Sequence, residues 1–149
     1  MNEIVVQLIA ASLGSVGFAL ILKVNKKLLV YAALGGFITW GIYLLVYKYF
    51  PSLFIANFLA SIFVGLYAEI MARAKKIPTT VFLTSASIPL IPGGRLYYSM
   101  AGLVFSDGAM FAENAKATLL IVLGIVVGLV VTAIFTKYFY KLINARGKI

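Results

Sequence analysis

Residues 87–99 read SIPLIPGGRLYYS. They hold two prolines, two adjacent glycines and an arginine, inside a run from Val81 to Phe105 that is otherwise apolar enough to cross a membrane. Proline has no amide hydrogen and clashes with the preceding helical turn, so Pro89 and Pro92 each predict an interruption. Gly93 and Gly94 permit backbone conformations that other residues resist. Breakers this dense predict an unwound segment; the plainer alternative is a proline kink with Arg95 snorkelling or paired to a carbonyl. Val81 to Arg95 measures about 21 Å as helix and Arg95 to Phe105 about 15 Å, which puts the break near the midplane of a ~30 Å core.

Unwound backbone at that depth is tolerated only when buried in protein or lining a polar cavity. The half-helix before the break would bring carbonyls and a partial negative charge to it. The half after the break, beginning near Pro92, would bring free amides and a partial positive charge. Those amides and the Arg95 guanidinium form a candidate anion site suited to a carboxylate. Tyr97 and Tyr98 follow on the same half-helix and are candidate lining residues.

The surrounding chain makes a membrane the natural solvent. Hydrophobic residues are 63% of 149, charged residues 11%, and the mean hydropathy is +1.06. A soluble domain of this size could not hide so much apolar surface. Five apolar runs are long enough to span: Ile4–Leu22, Leu28–Tyr47, Ser52–Ala72, Val81–Phe105 and Thr118–Tyr138. Backbone groups in hydrocarbon must bond within their own segment, so all five are expected as helices of one all-α integral membrane domain over residues 1–149.

Charge orients it. The connections at Lys23–Lys27 and Arg73–Thr80, with the tail from Lys137, hold ten of the thirteen basic residues. The alternate connections hold only Lys48 and Lys116. The expectation is therefore an outside N-terminus and a cytoplasmic C-terminus. A re-entrant hairpin at Val81–Phe105, leaving four spans, would put the basic tail outside. Ile4–Leu22 follows an acidic start and precedes its lysines, the reverse of a signal peptide. Tyr47, Tyr49 and Phe50 fit an interfacial belt, and Ser106–Ala117 is expected as a loop or a short surface helix.

The third run carries Asn57, Ser61, Gly65, Glu69 and Arg73 at every fourth position, one polar helical face. Asn57 and Ser61 are candidate solute contacts, or interhelical hydrogen-bonding groups. Glu69 is a candidate proton or cation carrier, though its spacing equally suits an ion pair with Arg73. Ala56, Ala60, Ala68 and Ala72 beside them suit close helix contact, as do Gly124, Gly128, Thr132 and Thr136 in the fifth run. With several faces prepared for tight neighbours, a homo-oligomer or a second membrane subunit is expected.

The chain has no histidine, no cysteine and four acids. Histidine acid–base chemistry, thiolate nucleophiles and most zinc sites are thereby excluded, and no cofactor, metal or enzymatic activity is expected. The basic residues flank apolar runs and form no separate domain, which argues against nucleic acid.

Residues 87–103, SIPLIPGGRLYYSMAGL, resemble the I-P-x-x-P-G-x-x-x-Y pattern of the threonine/serine exporter family, with Ile88, Pro89, Pro92, Gly93 and Tyr97 at the matching positions. Residues 59–82, LASIFVGLYAEIMARAKKIPTTVF, are similar in layout to the helix that precedes this motif. The chain resembles the small five-helix subunit of the two-component form, similar to the C-terminal half of the single-chain exporters. Arg95 falls where the resemblance implies a smaller residue. The resemblance implies gradient-driven export of threonine and serine across the plasma membrane by a multi-pass protein with a larger membrane partner. Export of a dicarboxylate such as succinate, a small channel, and a non-transporting assembly subunit are the alternatives.

Overall fold

The computed structural model describes residues 2–146, which form six α-helices and no strand. They are α1 (Asn2–Ile21), α2 (Leu29–Tyr49), α3 (Leu53–Lys75), α4 (Thr79–Ser87), α5 (Gly93–Val104) and α6 (Gly108–Arg146). Among them α1, α2, α3 and α6 are each long and apolar enough to cross a membrane. The remaining run is split into α4 and α5, neither of which is that long. The first three expected runs match their helices to within a few residues.

Small residues set the packing, because they let backbones approach where lipid offers no hydrophobic drive between helices. Ala56, Ala60 and Ala68 of α3 are wholly buried. Ala60 and Val64 meet Ala86 of α4 and Leu90 in one apolar cluster. Between α3 and α6 the seam is glycine-lined. A Cβ on Gly124 would lie 2.7 Å from the Phe54 carbonyl, and one on Gly128 would lie 2.6 Å from that of Phe58. Further along, Thr132 faces Gly65 and Ile62. Contact positions rise together on both helices, so α3 and α6 run parallel. The segment between them therefore carries the chain back to the end where α3 began.

One expectation is corrected here. Residues 106–117 are neither a loop nor a separate surface helix: α6 starts at Gly108 and continues for 39 residues, about 58 Å. Its first turns, before the level of Phe54, pack antiparallel against α5. A Cβ on Gly102 would meet the Phe111 amide nitrogen at 2.6 Å, so this close approach requires glycine. Asp107 caps α6, accepting from Met110 N at 2.9 Å.

Helices α1, α3 and α5 end alike. Lys23, Lys76 and Ser106 adopt left-handed φ values of 54°, 55° and 57°. The following residue in each case bonds five positions back: Val24 to Ala19 O, Ile77 to Ala72 O, Asp107 to Gly102 O. These are Schellman closures built without glycine.

Candidate functional site

The break falls where the sequence puts its prolines, but it is shorter than the breaker count implies. After α4, residues Ile88–Leu90 tighten into a 3-10 turn containing Pro89. Only Ile91 (φ −64°, ψ 124°) and Pro92 (φ −79°, ψ 52°) leave helical geometry. Pro89 has no N–H to give the Ser85 carbonyl, and Pro92 none to give Ile88, so the α-helical ladder stops. Neither Gly93 nor Gly94 has a positive φ. They are the first residues of α5, and no atom lies within 4 Å of a Cβ built on either. Their contribution is openness: first-turn amides without side chains over them.

Those amides lack partners within their helix. The first α-helical bond of α5 is Leu96 N to Pro92 O. Gly93 N turns back to Ile91 O at 2.8 Å, and no side chain caps the helix. The amides of Gly94 and Arg95 point from the positive end of the helix.

They border a cavity of about 420 Å³, within the range of small-molecule sites. Residues 89–95 and Tyr98 form one wall. Trp40, Tyr43 and Tyr47 of α2 form a second, stacked at 4.6 Å and 5.8 Å between successive ring centres. Leu53 and Asn57 of α3 and Ile121 of α6 complete it. Among the described residues Arg95 is the one charged residue lining it. Its guanidinium donates to Asn114 Oδ1 at 3.1 Å and lies 3.8 Å from Glu113, whose side chain is 80% exposed.

The cavity sits between the middle of α3 and its N-terminal end. Leu90 packs with Ala60 and Val64, whereas Arg95 shares the cavity with Leu53 and Asn57. The break is thus displaced from the midpoint of α3 toward one end of the bundle. Beyond the break, α5 packs alongside the N-terminal extension of α6.

The expected residues divide. Pro89, Pro92, Gly93, Gly94, Arg95, Tyr98 and Asn57 line the cavity. Tyr97 does not: it is exposed and meets Tyr98 edge-on at 5.4 Å. Ser61 is buried under α6, its hydroxyl donating to Asn57 O at 2.6 Å. Asn57 Nδ2 likewise donates to Leu53 O at 2.7 Å. Both bonds stay on α3, so neither residue ties two helices together. Glu69 lies toward the other end of α3, 3.2 Å from Arg73 and 3.5 Å from Thr79 Oγ1. The polar face of α3 therefore serves separate places along the bundle.

Sequence reasoning left out the aromatic wall and Asn114. Trp40, Tyr43 and Tyr47 are spaced i, i+3, i+7, one helical face. That signal was available, but Tyr47 also suited a membrane-surface belt. Asn114 gave no signal, because its partner Arg95 is remote in sequence.

Residues 7–135 match the model of the family described as Threonine/Serine exporter, ThrE. The chain belongs to the threonine/serine exporter family. The resemblance read from residues 87–103 is thereby borne out, and with it a membrane protein of an exporter family. No solved structure matches the chain. In this family member, the motif-bearing segment Ile88–Tyr97 contains the break, with all its matching positions except Ile88 and Tyr97 on the cavity wall.

Proposed function

We propose that this exporter-family chain moves a small amino acid, threonine or serine, with the solute held in the cavity at the break. The observation that carries this reading is the charge inventory of the cavity. One guanidinium and the unpartnered amides of α5 converge at one side, a match for one carboxylate. The α2 wall is aromatic and suits an ammonium through cation–π attraction. Asn57 offers polar contact for a hydroxyl. A dicarboxylate would need a second cation, and among the described residues Arg95 is the only charged one lining the cavity. The amino acid is therefore favoured over succinate.

The chain crosses the membrane five times in this account, with α4 and α5 together as the fourth crossing. The parallel course of α3 and α6 supports it. A re-entrant α4–α5 hairpin would return the chain to the side it left and make α6 antiparallel to α3. Positive charge at Lys23–Lys27, Arg73–Lys76 and Lys137–Lys148 argues for a cytoplasmic C-terminus in the plasma membrane. Alternating access would swing α5 and the start of α6 about Ile91 and Pro92, opening and closing the cavity. A larger membrane subunit or a second copy would supply the facing surface.

The test is efflux of radiolabelled threonine, serine and succinate from proteoliposomes, with and without a proton gradient, for the chain alone and with its partner. Gradient-dependent efflux of threonine or serine in excess of succinate is expected. Absence of efflux in both preparations would overturn the transport reading.

A further inference from the structure

We propose that the groove between α3 and α6, at the end of the bundle opposite the solute cavity, binds the phosphate headgroup of an anionic phospholipid. The groove has a volume of about 670 Å³, larger than the solute cavity. Arg73, Lys137 and Lys141 line it, against the single acid Glu69. The chain has only three other acids, Glu3, Asp107 and Glu113. None of these lines the groove, so it carries net positive charge.

The arrangement is prepared for an anion. Arg73 sits over the Tyr140 ring, its guanidinium carbon 3.3 Å from the ring centre, and one nitrogen pairs with Glu69 at 3.2 Å. A guanidinium held this way loses little freedom when its remaining N–H groups bind phosphate. Lys137 and Lys141 stand one turn apart on α6, a like-charge pair that weakens the helix unless an anion sits between them.

The apolar surroundings identify the anion as a lipid. Ile70, one turn before Arg73, is 62% exposed, and Ile134, one turn before Lys137, is 53% exposed. An acyl chain can lie along them while its headgroup stays at the cations. Tyr138, also on the groove wall and exposed, suits the level of the headgroups. A free phosphate would use the cations and leave the apolar track empty. Basic pockets between membrane helices are a recurring device for anionic headgroups.

Native mass spectrometry of the full chain, titrated with phosphatidylglycerol or phosphatidylcholine, tests this site. Phosphatidylglycerol should bind more tightly. K137Q/K141Q should weaken its binding by about tenfold or more, and K137R/K141R should retain it. K26Q/K27Q removes equal charge from the same end of the bundle but outside the groove, and should leave binding nearly unchanged. Should the double variant fail to fold, K137Q alone carries the same comparison at about fivefold. Equal binding of the two lipids, equal losses in the groove and control variants, or displacement of the lipid by millimolar inorganic phosphate would overturn the proposal.

Discussion

Arg95 Nη1 donates to Asn114 Oδ1 at 3.1 Å, linking the helix after the break to the long α6. Asn114 is buried and in turn donates to Met110 O at 2.8 Å, so its amide is fixed. The guanidinium, on a residue that lines the cavity, is thereby tied to α6 rather than free to snorkel. Glu113, exposed and 3.8 Å away, is its only charged neighbour among the described residues.

Arg95→Ala should lower threonine or serine efflux by about tenfold or more, the weight of a hydrogen bond to a charged group. Its side chain is 47% exposed, so protein levels should stay normal. Unchanged flux at equal expression would remove the charge from the account. Asn114→Ala should have a smaller effect of the same sign, because the charge remains but its tie to α6 is lost.

Gly128→Ala should destabilise the fold by about 1–3 kcal/mol, since overpacking a close contact forces backbone shifts. A Cβ there would sit 2.6 Å from the Phe58 carbonyl and 2.8 Å from Ser61 Cβ. Gly17→Ala is the control: no atom lies within 4 Å of its Cβ, and alanine should stabilise α1 by about 0.5–1 kcal/mol. Thermal unfolding in detergent reads both, with opposite signs.

Lys76→Gly should stabilise the protein by roughly 0.5–1 kcal/mol. The left-handed conformation at φ 55° is disfavoured for a residue bearing a Cβ, and glycine removes that cost. Lys76→Ala should leave the strain in place and give no gain in unfolding midpoint.

The sequence disclosed the helices and their break because both rest on local rules. Apolar length marks a span, and Pro89 and Pro92 stop a ladder wherever they stand. It disclosed the Gly124–Gly128 seam because spacing by four marks one face. It gave the wrong reading of Gly93 and Gly94, since glycine permits unusual backbone without demanding it. It missed the continuity of α6 through Ser106–Ala117, where charged residues interrupt the hydropathy although Asp107, Asn114 and Thr118 are arranged as helix-compatible polar groups. The pairing of Arg95 with Asn114 depends on how α5 folds back, which no local pattern encodes. The same holds for Glu69, whose distance from the cavity follows from the displacement of the break.

Restoring two N–H groups with P89A/P92A should let α4 run on into α5. Removing interior prolines relieves about 3 kcal/mol or more of helix disruption at each site. The double variant should therefore be at least as stable as the wild type and fail to transport. A stable variant with normal efflux would mean that the break is not used.

The central claim is that the break opens onto a water-filled, solute-binding cavity, and the absence of native cysteine makes a direct measurement clean. A single cysteine at Gly94 has room, with no atom within 4 Å of its Cβ. A charged, membrane-impermeant thiol reagent should modify it, and threonine or serine should slow the reaction several-fold while leaving a cysteine at exposed Lys48 unaffected. A Gly94 cysteine that is inert to the charged reagent, or that reacts at the same rate with and without the amino acid, would contradict the account.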